Sequence, residues 1–205
     1  MNTAIIGAGY AGLSAAVELI CHGQSVTVFE ASRTLGGRAR AVELNGMTVD
    51  NGQHILLGAC QDTLRLMQTV GASPKQLLKR LPLHLEFPGE FRLSAPHLPA
   101  PLHLLTALLC AQGLDWREKW AAIQIMRRLQ RAQFSITPDT SVATWLDRHH
   151  TPSHQRRLLW EPLCVAALNT TADQASAQML ANVLRDSLAS HRAASDLLIP
   201  QVNLS

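Results

Sequence analysis

Three short runs of this sequence bring small and charged residues together at spacings suited to a phosphorylated ligand. Gly7-Ala8-Gly9-Tyr10-Ala11-Gly12 has the GxGxxG spacing, Glu30 follows eighteen residues after Gly12, and Gly36-Gly37-Arg38 comes soon after. Each glycine has a separate physical use. Gly7 permits a tight turn, Gly9 lets backbone approach a pyrophosphate, and Gly12 lets a helix pack closely on a sheet. A helix starting at the motif would point its positive end at the phosphates. The Glu30 carboxylate can accept hydrogen bonds from ribose hydroxyls and would repel a 2′-phosphate, which argues against NADP. At Gly36-Gly37-Arg38 a second pair of glycines admits close backbone, and Arg38 offers a fork of donors to phosphate. Alone, that triplet also reads as an ordinary exposed turn; its place just after the acid argues for a ligand.

The elements that must position these residues are legible in the pattern. Residues 2–6 read as a buried strand. A helix follows from about Tyr10 to His22, with Leu13, Ala16, Val17 and Ile20 at helical spacing, and Gly23 stops it. Residues 25–29 alternate as a second strand ending at Glu30, completing a βαβ unit without its third strand. Asn45-Gly46 marks a hairpin between two short strands. After Cys60 the chain turns helical, first over residues 61–70. Residues 81–101, with Pro82, Pro88, Pro96, Pro99 and Pro101, hold short extended pieces. Residues 102–111 form a very apolar helix. An amphipathic helix spans 115–133, with Trp116, Trp120, Ile123 and Leu129 expected inward and Arg127, Arg128 and Arg131 suited to its negative end. Further helices are expected near 141–149, 154–167 and 173–191. The fold class is thus α/β: a Rossmann-like βαβ start, then a mainly helical region. The division is expected between residues 1–58 and 59–205.

With Glu30, Gly36-Gly37-Arg38 resembles the FAD-binding start of the amine oxidase and phytoene desaturase superfamily. Asp50-Asn51-Gly52-Gln53-His54-Ile55-Leu56 and the stretch from Trp160 to Thr170 resemble, more narrowly, its squalene-associated members, the hydroxysqualene dehydroxylases of hopanoid synthesis. The resemblance implies FAD as cofactor, held by Gly7, Ala8, Gly9, Tyr10, Ala11, Gly12, Glu30, Gly36, Gly37, Arg38, Gln53 and His54. It implies a hydrophobic isoprenoid substrate whose allylic hydroxyl is replaced by hydrogen. Loss of the hydroxyl needs an acid. His54, Asp50 and Glu161 are the candidates, with His54 preferred because it titrates near neutrality. Equally, Gln53 and His54 can simply hydrogen-bond the flavin or the backbone, and Glu161 before Pro162 reads as a helix-terminal structural acid. Carotenoid-type desaturation and amine oxidation share this FAD start and stay open. Family chains are considerably longer, and only two parallel strands are convincing here. The fold is therefore expected to be incomplete relative to the family, an N-terminal portion, and an inactive nucleotide-binding fragment is a further reading.

Composition narrows the remaining classes. The 205 residues are 47% hydrophobic and 16% charged, with a net charge of +3 and a pI near 8.9. That excess is too small to argue for nucleic acid, though it suits an anionic cofactor or membrane surface. Cys21, Cys60, Cys110 and Cys164 form no CxxC pair and read as reduced, mostly buried thiols. No metal spacing occurs; His149, His150 and His154 read as a polar helix connection. No signal peptide or spanning segment is expected. A cytoplasmic protein with peripheral contact at the inner face of the cytoplasmic membrane fits. Leu104, Leu105, Leu108 and Leu109 in the apolar helix could line a substrate tunnel, dip into a bilayer surface, or form plain core.

Overall fold

The computed structural model describes residues 2–52 and 54–202. These form two compact units, one from residues 2–81 with 197–202, the other from residues 82–196. The first opens with the expected βαβ: β1 (Asn2–Ile6), α1 (Tyr10–Cys21) and β2 (Ser25–Phe29). The two strands pair in parallel, from Asn2 opposite Ser25 to Ile6 opposite Phe29. They are not a buried pair. Helix α1 packs on one face, where a Cβ on Gly12 would touch the Ile5 side chain. The opposite positions are open, with Ile6 91% exposed.

β3 (Ala41–Leu44) and β4 (Met47–Asp50) form the expected hairpin. Its turn residues Asn45 and Gly46 have φ of 50° and 78°, the left-handed pair that such a two-residue turn demands. After β5 (Leu56–Leu57) come α2 (Gln61–Thr69), α3 (Pro74–Leu77) and β6 (Leu78–Leu81). A distant strand, β9 (Leu197–Pro200), runs antiparallel between β5 and β6. With β5 and β6 joined to β9 in one sheet, residues 59–81 belong to the first unit, and the two units divide at Pro82 where the sequence suggested residue 59.

The second unit begins with an antiparallel pair, β7 (His84–Phe87) and β8 (Phe91–Ser94), and is helical thereafter. It contains α4 (Leu102–Leu109), α5 (Trp116–Arg131), α6 (Val142–Arg148), α7 (Ser153–Gln155), α8 (Glu161–Leu168) and α9 (Ala177–Val183). α7 runs into α8 through one wide π-helical turn at Arg156–Trp160, where the Glu161 N–H reaches back to the Arg156 carbonyl. Such a turn shifts the hydrogen-bond register just before Pro162, which has no N–H to donate. Another π-helical turn, Leu184–Leu188, extends α9. Val142, Leu146, Cys164, Leu180 and Leu184 make a tightly closed core.

Helix α5 corrects one expectation. A capping box at Asp115 and Glu118 starts it, and its buried face is Glu118, Ala122, Ile125 and Leu129. Leu129 is inward as expected, but Trp116 and Trp120 are 66% and 47% exposed. The cysteines differ too: only Cys164 is buried, while Cys21 and Cys110 are exposed.

Candidate functional site

Around the glycine motif, three backbone segments converge. The Gly7 N–H donates to the Phe29 carbonyl at 2.7 Å, fixing the end of β1 against the end of β2. Gly7 has φ of +95°, which a side chain would resist. Ala8 is buried, and its carbonyl accepts from the Gly36 N–H at 2.9 Å. Gly9 and Gly36 form a parallel bridge, so the second glycine pair lies directly on the first. At Gly37 an added Cβ would come 3.1 Å from the Gly9 Cα.

Gly12 and Gly9 are glycines for different reasons. A Cβ on Gly12 would drive into the Gly7 carbonyl, so the fold itself requires glycine there. Gly9 has φ of −77°, open to any residue, and a Cβ there would meet only the Gly37 Cα, at an ordinary 3.8 Å. Nothing inside the described residues excludes a side chain at Gly9. The bare backbone there leaves room for a ligand at the uncapped positive end of α1.

Glu30 sits just past β2. One carboxylate oxygen accepts from the Ala8 N–H and the other from the Ser32 N–H, each at 2.7 Å. The Ser32 and Ala8 donors, in that order, hold its carboxyl below the usual carboxylate range. Glu30 therefore ties the glycine loop to the segment leading to Gly36, and each oxygen keeps acceptor capacity for a hydroxyl. Arg40, also close enough to favour the carboxylate, donates to Ser32 Oγ at 3.1 Å. Arg38 is exposed just beyond Gly37. Tyr10 and Ala11 start α1; the Tyr10 side chain lines a separate apolar cavity of about 270 Å³ between α1 and α2, with Leu13, Leu66 and Met67. Burial, then the Asp50 charge, pushes the Tyr10 phenol up.

Asp50 ends β4, and His54 follows the turn after it. Asp50 Oδ1 and His54 Nε2 are both buried without a hydrogen-bond partner among the described residues. Such atoms are costly in a finished structure and mark where a polar ligand would be accommodated. Gln53 lies outside the described residues. The bare Gly9 backbone and these two orphaned atoms fit a dinucleotide with a polar ring system. Glu161, in the second unit, begins α8, and its charge adds to burial in raising the Cys164 thiol.

The second unit holds an apolar cavity of about 310 Å³. Leu104, Leu105 and Leu108 of α4 line it, as does Trp160, while Leu109 does not. Its other walls, including Leu83 and Leu93 from the β-hairpin and Leu184 beyond α9, escaped the sequence reading. No local pattern marks them, because they meet only through tertiary packing. His154, grouped above with a polar helix connection, instead pairs its Nδ1 with buried Glu118 at 2.9 Å. Among the described residues no three His, Cys, Asp or Glu side chains gather to hold a metal, and no helix is long and apolar enough to cross a membrane.

Fold and site together define an α/β protein with a Rossmann-like βαβ start and a helical second unit. Residues 10–192 match the model of the flavin containing amine oxidoreductases, and the chain belongs to that family. A hydroxysqualene dehydroxylase from Zymomonas mobilis is 30% identical over 193 residues, covering 91% of this chain and 44% of its own length. A zeta-carotene desaturase from Capsicum annuum is 35% identical over 125 residues, covering 58% of this chain and 21% of its own. An oxidoreductase structure from Methanosarcina mazei superposes with a TM-score of 0.64 at 17% identity, over 98% of this chain and 45% of that one, and shows the fold. The chain spans less than half the length of these proteins.

Proposed function

We propose that this chain is the FAD-binding part of an oxidoreductase that removes the hydroxyl of hydroxysqualene to give squalene. The observation that carries the cofactor assignment is Gly9: backbone left bare beside Gly37, with no constraint among the described residues to demand it. The similarity to the Zymomonas hydroxysqualene dehydroxylase, along 91% of the chain, supports the substrate.

In this reading Gly9, Gly36 and Gly37 let backbone approach the pyrophosphate, with Arg38 as a nearby donor. Glu30 accepts from the ribose hydroxyls with the capacity its two backbone bonds leave. Reduced FAD, when bound, supplies a hydride. Departure of the hydroxyl as water consumes one proton; His54 is the preferred donor in this reading, and Asp50 the alternative. The apolar cavity of the second unit takes hydrocarbon and excludes water, which a reaction that makes carbon electron-poor requires.

The test is direct. The purified chain should carry FAD at one equivalent by its visible spectrum, and with reduced FAD and hydroxysqualene should yield squalene. A colourless chain that takes up no added FAD refutes the cofactor assignment. The zeta-carotene desaturase similarity favours a second reading, and a dehydrogenated polyene formed by the flavin-loaded chain would establish it instead.

A further inference from the structure

Two π-helical turns occur among the described residues, and both lie against the apolar cavity of the second unit. The first, Arg156–Trp160, places Leu159 and Trp160 in the cavity wall. The second, Leu184–Leu188, places Leu184 and Leu188 there, with Ala189 just beyond it. In each the backbone closes between residues five apart. The Glu161 N–H donates to the Arg156 carbonyl, and the Ala189 N–H donates to the Leu184 carbonyl at 3.0 Å. Such turns are rare in globular proteins, taking roughly 1% of residues or fewer, so two of them on one cavity call for a common cause.

The wide turns decide which side chains face inward. Residues five apart lie roughly 140° from one another around an α-helix and so point different ways. Here Leu184 and Ala189 share the cavity wall, and Gln155 and Trp160 are both buried. Pro162, which has no N–H, gives the first turn a local reason, but no proline lies in or beside the second. The first turn also carries a cost. Gln155 Oε1 and Trp160 Nε1 are buried there without a hydrogen-bond partner among the described residues. Rare backbone held against such a cost is found mostly at functional sites. Away from the cavity the turns meet solvent. Arg157 pairs with Glu90 and Arg185 with Asp186, all four exposed, and such surface pairs contribute little.

We propose that the two π-helical turns are specificity-determining elements of the cavity: they set the form of the wall on which an isoprenoid chain lies, and they lower the stability of the unit in doing so. The ligand rests on the isoprenoid reading of the cavity; the opposition between stability and shape rests on the turns alone.

Deleting one exposed residue from each turn tests it, Arg157 from the first and Asp186 from the second. Each deletion brings the paired inward side chains to i, i+4 spacing, so the helix can close as α with its buried face in phase. Thermal unfolding of the full chain, followed by tryptophan fluorescence, should give an unchanged or higher Tm for both deletions. Calorimetric titration with farnesol, an isoprenoid alcohol, should show affinity lowered by about tenfold or more in both. Arg157→Ala and Asp186→Ala keep the five-residue turns and should bind farnesol like the parent chain. A deletion that folds and binds farnesol unchanged overturns the proposal. So does a lowered Tm or a failure to fold in either deletion, because the turn would then serve the fold. Alanine variants as weak as the deletions overturn it as well, since the side chain and not the turn would then matter. A parent chain that takes up no farnesol removes the ligand and the proposal together. One that binds farnesol but forms no squalene from hydroxysqualene removes the proposed reaction alone, and the deletions still judge the turns.

Discussion

The two units are held in shape by different means. In the first, the apolar side chains fully buried among the described residues are Ala8, Ala16, Leu78 and Leu198. Its form comes from backbone: Gly7 turning, Gly12 against the Gly7 carbonyl, Gly36 bridged to Gly9, Glu30 holding two N–H groups. The second unit has a side-chain core, with Val142, Leu146, Leu180 and Leu184 sealed from solvent. Backbone geometry suits a ligand that must approach main chain closely. Packed side chains suit a greasy cavity. The contrast teaches that each unit should fail by its own route.

Leu146→Ala should have the largest effect. Its side chain is completely buried, and removing it should cost about 2–5 kcal/mol. All four tryptophans lie in residues 82–196, so their fluorescence should report a lowered Tm for that unit. Gly12→Ala comes next, at roughly 1–3 kcal/mol from the forced overlap with the Gly7 carbonyl. Hydrogen exchange should show β1, α1 and β2 losing protection while the tryptophan transition stays put. If both signals move together in either variant, the two units are one cooperative block and the contrast fails.

Gly9→Ala separates ligand from fold. Its φ accepts alanine, so stability should hold or rise by about 0.4–1 kcal/mol, while FAD affinity falls by about tenfold or more. Retained flavin in this variant would refute the assignment of the loop.

Acid should divide the units most gently. His103 is buried on α4, its Nε2 3.2 Å from Ser195 Oγ, and burial, then the Arg192 charge, pushes its pKa below the ordinary histidine value. A depressed folded-state pKa gives stability that is full above the unfolded value and lost as pH falls, so the second unit should weaken from about pH 6.5 downward. Glu30 is also depressed, and its contribution should persist until pH falls below about 4.3. Tryptophan fluorescence should therefore respond at higher pH than amide protection in α1. Glu30→Gln should remove the lower-pH step only.

The same contrast explains how much was legible in the sequence. The glycine loop, both parallel strands and the Asn45-Gly46 hairpin obey rules that act over a few residues, and all were placed correctly from them. On α5 local rules conflicted. Two apolar stripes run along one helix, one through Trp116 and Trp120, the other through Ala122, Ile125 and Leu129, and only the neighbours decide which turns inward. Residue size pointed to the tryptophans; the smaller side chains face inward, and on that side Gln155 donates to the Glu118 carbonyl at 2.6 Å. The pairing of β5 with β9 was equally hidden, since Leu56 and Leu57 meet partners some 140 residues away. Of the candidate site, the glycine-loop backbone and the presence of Asp50 and His54 could be read, but that each of the latter two buries an unpartnered atom, and the far walls of the cavity, could not.

The position of β9 governs the order in which the molecule can assemble. Closing the β5–β9–β6 sheet around a disordered excursion of residues 82–196 would carry a loop entropy of about 4 kcal/mol. Leu81 pairs directly with Leu197, so the excursion leaves and returns at neighbouring residues. Once the helical unit has folded, its two ends are already near one another and most of that entropy has been met. The last sheet of the first unit then closes as easily as a hairpin, with an entire folded body serving as its turn.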